Sequence, residues 1–221
     1  MLKNLTLSII ASGILLTGAA QASVTLVTSS SALGANDSIS WTQLGPAFTV
    51  LTGPQAVTST GGLAATVTSA GNTLERRDQG SGWAGNFANG APLLWTRGVG
   101  PDITLSFAAP VYGAGAQFQA DIFGPFTAEV IGIGGSVLGT FTENGTSNSA
   151  GDDSAIFIGI LSDTADISSI VFHQTGGNDF AIGNVALNTS DTPAAVPEPA
   201  SLSLLGLGLI GFISTRRKSA N

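Results

Sequence analysis

From residue 24 onward, apolar and polar side chains alternate with a period of two in run after run. Val24-Thr-Leu-Val-Thr28, Asp102-Ile-Thr-Leu-Ser-Phe107 and Ser154-Ala-Ile-Phe-Ile-Gly-Ile160 show it, and Ile167-Ser-Ser-Ile-Val-Phe172 and Phe180-Ala-Ile-Gly-Asn-Val-Ala-Leu187 extend it. Val, Ile, Thr and Phe dominate these runs, as a pleated, half-buried surface prefers. Gly61-Gly62, Gly134-Gly135, Asn144-Gly145 and Gly176-Gly177-Asn178 punctuate them as turn signals. Many short strands spaced by such turns predict an all-β fold over residues 23–190, an antiparallel β-sandwich or jelly roll. Phe118, Phe123, Phe126, Phe141, Phe157 and Phe172 are its expected core aromatics.

The two ends break the pattern. Lys3 precedes an apolar run from Leu5 to Leu16, and Gly18-Ala19-Ala20-Gln21-Ala22 follows. A charged start, a short apolar stretch and a small-x-small site read as a secretory signal peptide over residues 1–22. Ala20 and Ala22 take the −3 and −1 positions, and Ser23 begins the mature chain. The Sec translocon and signal peptidase are the implied partners. The competing reading, an uncleaved anchor, needs about 20 apolar residues, more than Leu5–Leu16 supplies.

At the other end, a linker over residues 191–195 leads into Val196-Pro197-Glu198-Pro199. An uncharged, mostly apolar stretch from Ala200 to Ile213 follows, and then the basic cluster Arg216, Arg217 and Lys218. A membrane helix with a cytoplasmic basic end is expected there, which leaves the body outside. Gly206-Leu-Gly208-Leu-Ile-Gly211 within it fits G-x-G-x-x-G, yet it lacks the preceding strand and following acid of a dinucleotide site.

This ordered triple resembles the PEP-CTERM sorting signal of Gram-negative-type bacteria, with Pro197, Glu198 and Pro199 as the motif and Arg216 and Arg217 in the basic end. Residues 196–221 carry the likeness. It implies recognition by a membrane exosortase, transient anchoring in the inner membrane, and delivery to the cell surface or extracellular matrix. It also implies a link to exopolysaccharide, which composition does not show.

Charge changes the picture once the ends are set apart. The whole chain has a formal net charge of −7. Residues 23–195 hold three arginines, no lysine and 13 acids, a net charge of −10. Nucleic acid is thereby disfavoured as a partner, because phosphate neutralisation needs cations. The absence of cysteine excludes disulfides, thiolate metal sites and cysteine nucleophiles. The single histidine, His173, has no nucleophile partner in sequence and reads as structural.

The least generic stretch is Asn72–Phe87, which gathers Glu75, Arg76, Arg77, Asp78, Gln79, Trp83 and Asn86 among glycines. Trp83 offers a flat apolar face, and Arg77, Gln79 and Asn86 offer hydrogen bonds, so these four are the candidate ligand-binding residues. Trp41 and Trp95 offer the same kind of face but are expected in the core. Ion pairing of Arg76 or Arg77 with Glu75 or Asp78 is the structural alternative. Asn148, Asp152 and Asp153, and Asn178 with Asp179, offer oxygen ligands that calcium could take, but neither loop follows a known calcium spacing, so no cofactor is expected. The function expected is an exported structural or interaction protein, polysaccharide binding being its specific form, and no enzyme. A secreted glycan-acting hydrolase is the alternative, requiring Glu75, Glu129 or Glu143 to face another acid across a cleft.

Overall fold

The computed structural model describes residues 23–98, 100, 102–120, 124–145, 148–175 and 179–190. The signal segment with Ala20 and Ala22, the linker, and the sorting segment with Pro197, Glu198, Pro199, Arg216, Arg217 and Lys218 lie outside them. So do Phe123, Asn178 and the Gly176-Gly177 turn. Among the described residues no helix is long and apolar enough to cross a membrane.

In chain order the strands are β1 (Val24–Val27), β2 (Asp37–Ile39), β3 (Val50–Thr52), β4 (Gln55–Thr58), β5 (Ala64–Ser69), β6 (Thr73–Gln79), β7 (Gly82–Trp83) and β8 (Pro92–Trp95). They continue as β9 (Asp102–Val111), β10 (Gly113–Ala120), β11 (Gly124–Gly132), β12 (Val137–Gly145), β13 (Ile156–Ser162), β14 (Ile167–Gln174) and β15 (Phe180–Asn188). One 3-10 turn, Trp41–Leu44, is capped by Ser40, whose side chain accepts from the Thr42 N–H. The first sheet has the order β1-β13-β10-β15-β8-β6-β3, with β2 also paired to β15 and β7 to β6. The second runs β12-β11-β14-β9-β5-β4. Every pairing is antiparallel except the short β6–β7 contact, so the all-β, two-sheet expectation holds.

Alternation places the core between the sheets. Ile158, Ile160, Phe118 and Ile182 of the first sheet face Phe126, Ile170, Phe172 and Leu105 of the second in one cluster. Phe118 stacks on Phe126 at 4.1 Å between ring centroids and on Phe180 at 4.5 Å, which joins the two sheets through one aromatic column. Trp41 is fully buried, and its Nε1–H donates to the Gly183 carbonyl at 2.7 Å. The expected core phenylalanines divide: Phe118, Phe126 and Phe172 are buried, whereas Phe141 and Phe157 are only partly so.

Register also fixes two poles. At one pole Gly113 pairs with both Asn188 and Leu161, Val24 with Ser162, and Ile167 with Val111 and Gly132. The chain changes sheets here at Tyr112, whose N–H donates to the Asn188 carbonyl and whose carbonyl accepts from Ser162 N–H. At the opposite pole Ala120 pairs with Phe180, His173 with Asp102, and Ser69 with Ile103. Ser23 and Ser190, the two limits of the described body, therefore belong to the same pole.

Candidate functional site

The stretch Asn72–Phe87 is a strand followed by a folded-back loop. Along β6, Leu74 points into the core, while Glu75, Arg77 and Gln79 alternate onto the outer face of the first sheet. A second, smaller apolar cluster lies on that face: Trp83, Phe87, Leu93, Ala155 and Ala181, with Trp95 packed against it. The loop returns over this cluster and is held by buried amides. Gln79 donates from Nε2 to the Gly85 carbonyl at 2.7 Å and accepts from Gly85 N–H at 3.1 Å, so its side chain closes the loop as a peptide group would. Gln119 Oε1 accepts from the Trp83 indole at 3.3 Å and from Asn86 N–H at 2.8 Å. The Asn86 side chain then reaches the next loop, accepting from Asn148 N–H at 2.8 Å and donating to Ser154 Oγ at 2.9 Å.

Three of the four candidate residues are thus placed inside: Trp83 is 9% exposed, Gln79 4% and Asn86 2%. The glycines flanking Trp83 signal close approach rather than an open loop. A Cβ on Gly85 would lie 2.0 Å from Gln119 Oε1 and 2.4 Å from the Trp83 nitrogen. The three residues shape what lies above them.

Arg77 alone of the four reaches towards the surface. Its guanidinium carbon lies 4.7 Å from the Phe48 ring centroid and 4.5 Å from that of Trp95. Buried Glu75 binds Arg77 Nη2 at 2.7 Å and Arg97 Nε at 2.8 Å, and Arg76 pairs with Asp78 at 2.6 Å. Arg76 also touches the Arg77 carbonyl. The structural alternative of local ion pairing is present in full. Trp95, expected in the core, stands half-buried beside Arg77 and donates to Asp179 at 2.6 Å.

Next to this loop the outer face opens into a groove of about 640 Å³. Beneath Phe157, which lines it, Gly115 of β10 and Gly159 of β13 stand opposite each other, buried. A Cβ on Gly115 would come within 2.5 Å of the Gly159 Cα and 2.8 Å of the Phe157 ring. Phe157 lies over these glycines as the groove's aromatic face. On the other side β15 carries a bulge: between Ala116–Val185 and Phe118–Ile182, one β10 residue faces Gly183 and Asn184 together. Asn184 is exposed at this bulge, and its Oδ1 accepts from the Trp41 N–H at 3.3 Å. Gln117, Ser29, Ser30, Asp153, Ser154 and Asn184 supply the polar rim, and Pro92 and Ile156 add apolar surface. No Lys or Arg lines the groove among the described residues. The missed signal was in plain view: glycines inside Gly113-Ala-Gly-Ala and Phe157-Ile-Gly, where a strand keeps Gly for close approach.

The remaining candidates have ordinary partners. Asp152 accepts from Ser154 Oγ at 2.6 Å and from Ser154 N–H at 3.2 Å. These bonds hold its carboxyl below the usual aspartate value of 3.8. Asp153 accepts from Gln117 Nε2 at 2.9 Å, and Asn148 Oδ1 accepts from Ala150 N–H at 2.9 Å. Among the described residues no three His, Asp or Glu side chains converge as a metal site. His173 Nδ1 contacts the Asp102 carboxylate across β14 and β9. Glu129 accepts from Thr140 at 3.0 Å on the second sheet, away from Glu75 on the first.

A search of curated proteins found no match. Among solved structures, the chain is similar to CsCBM6-3 from Clostridium stercorarium in complex with cellobiose, at 14% identity and a TM-score of 0.23, covering 65% of this chain and 95% of that one. It is also similar to a mutant family 29 carbohydrate-binding module, at 15% identity and a TM-score of 0.27, covering 61% and 99%. A GH87 alpha-1,3-glucanase catalytic domain in complex with tetrasaccharides follows at 11% identity and 0.28, covering 80% of this chain and 30% of the other. Superposition this loose bears on neither ligand nor chemistry. The C-terminal segment is different: residues 195–218 match the family model of the PEP-CTERM protein-sorting motif, and the chain is a protein carrying that exosortase sorting signal.

Proposed function

We propose that this is an exported, exosortase-sorted protein of the cell surface or matrix whose body binds a neutral polysaccharide in the groove on its first sheet. One observation carries the reading: an aromatic ring, Phe157, packed down on the buried Gly115 and Gly159 and lining the groove among amide, hydroxyl and carboxylate groups. A sugar ring presents an apolar face and an equatorial belt of hydroxyls, and this arrangement offers a partner for each. The lack of a cation in the lining, on a body of net charge −10, favours an uncharged chain over an acidic one. The buried Trp83, Gln79 and Asn86 support the wall, since Asn86 holds Ser154 at the rim. No observation favours the hydrolase reading: Glu75 is held by two arginines and Glu129 by a threonine on the other sheet.

Affinity electrophoresis of the mature protein through neutral polysaccharides and through the producer's own matrix tests this. Removing the Phe157 ring forfeits about 2 kcal/mol of apolar contact, or roughly thirtyfold in affinity. Phe157→Ala and Asn184→Ala are expected to migrate unretarded. Absence of retardation for the unaltered protein on every glycan, or equal retardation of Phe157→Ala, defeats the proposal.

A further inference from the structure

The groove and the buried amides leave an exposed apolar tip on the second sheet unexplained. The β11–β12 hairpin turns through Gly134 and Gly135, at φ of 87° and 86°, and puts a large aliphatic on each side of the turn. Ile133 is 65% exposed and Val137 56%. The turn is well formed, with Gly132 N–H bonded to the Ser136 carbonyl at 2.7 Å and Ile133 N–H to the Asp166 carbonyl at 3.1 Å. These two aliphatics stand mostly uncovered by the described residues.

Their position gives them an occupant. Gly132 pairs with Ile167, Ile167 with Val111, and Tyr112 binds Asn188. The tip therefore projects from the same pole as Ser190, where the chain leaves for its sorting segment. The matched motif begins five residues beyond Ser190, at residue 195, and the uncharged apolar stretch at Ala200. Ten residues reach at most about 36 Å when fully extended, so a chain held by its tail keeps this pole within that distance of the bilayer. Asp163 N–H bonds the Ser23 carbonyl and Asp166 binds Ile133 through its carbonyl, so both acids belong to this pole too.

From this we infer that the Ile133–Val137 tip seats in the bilayer surface while the chain is anchored by its C-terminal segment. The inference rests on the sorting reading for the anchor, and adds a second, apolar contact made by the folded body. Tethering makes such a weak contact effective, because the second binding event is intramolecular. The contact is aliphatic, not electrostatic: Asp163 and Asp166 beside it disfavour anionic headgroups.

The chain has no cysteine, so a single introduced one can carry an environment-sensitive dye. Ser136→Cys places it at the tip, and Ala70→Cys places it at the opposite pole, next to Ser69. The chain from Ser23 to Asn221 is incorporated in phosphatidylcholine vesicles and recovered by flotation. The expected result is a blue-shifted emission at position 136, quenched by lipids carrying a shallow spin label, with water-like emission at position 70. Adding Ile133→Ser and Val137→Ser should abolish the shift at 136 while the chain still floats. Flotation with water-like emission at 136 overturns the inference and leaves the anchor standing. A chain that fails to float overturns both. Persistence of the shift after the double serine change also overturns it, as does a shift that appears only when an exosortase is added to the vesicles.

Discussion

Adding one methyl group at each of three glycines under the groove separates close backbone approach from ordinary packing. At Gly115 a Cβ meets the Gly159 Cα at 2.5 Å, the Ile158 carbonyl at 2.8 Å and the Phe157 ring at 2.8 Å. Two of these three are backbone atoms of the paired strand, so β10 and β13 must separate locally by close to an ångström. Overpacking of this kind costs about 1–3 kcal/mol, and the rigid neighbours place Gly115→Ala at the upper end. At Gly159 the nearest atoms are side chains, the Phe157 ring at 2.7 Å and Val27 at 3.1 Å. Rotation of that ring relieves the clash, for about 1 kcal/mol. At Gly183 the neighbours stand at 3.5 Å or more, ordinary contact. Each change also removes about 0.4–1 kcal/mol of unfolded-chain entropy, so Gly183→Ala should come out neutral or slightly stabilising. For a domain of this size 1 kcal/mol moves Tm by about 2–4 °C. Thermal unfolding followed by circular dichroism should then rank the variants Gly115→Ala lowest, Gly159→Ala intermediate and Gly183→Ala nearest the parent, with a drop of about 4–10 °C for the first. Equal Tm values, or Gly159→Ala falling furthest, would refute the backbone-contact argument.

Two further outcomes follow from the charged residues. Glu75→Gln leaves Arg77 and Arg97 facing a neutral amide in a largely buried position, and should lower the unfolding free energy by about 2–4 kcal/mol. A urea midpoint that moves by less than about 1 kcal/mol equivalent, or an Arg97→Gln change of equal size at the exposed arm, would contradict the clamp. Asp152 has its pKa lowered by its bonds to Ser154. Its contribution is therefore present above the ordinary aspartate value and is lost as pH falls below about 4, through the folded-state value. The protection of the Ser154 amide, its exchange rate taken relative to the intrinsic rate at each pH, should fall in that acid range in the parent and show no such step in Asp152→Asn.

Sequence pattern disclosed the strands that alternate cleanly, β1, β9, β13, β14 and β15, because each has one face in the core and one in solvent or under a loop. It was silent on β10, whose Gly113-Ala-Gly-Ala-Gln-Phe-Gln-Ala has little β propensity and earns its central place by allowing close strand contact. β6 carries no strand signal, since Glu-Arg-Arg-Asp gives no apolar alternation; its charges are satisfied by one another and by Arg97. Asn144-Gly145, a turn signal by type, instead ends strand β12. The candidate site was legible as a region and not as a surface. Trp83, Gln79 and Asn86 stand out in the sequence, yet their polar groups find partners such as Gln119 and Ser154 that only the fold brings near. Phe157 looked like any core phenylalanine, because nothing local says which face of a strand is covered.

The strand from which the tail departs, β15, lies in the interior of the first sheet, bonded to β10 on one side and to β8 and β2 on the other. Any drag on a tethered molecule therefore enters along the axis of a strand flanked on both sides. Ladder bonds run perpendicular to that axis, so a pull loads them together in shear and cannot peel them one at a time. A body hung from an edge strand such as β12 would unzip under the same force, whereas this attachment makes the sheet itself the mooring.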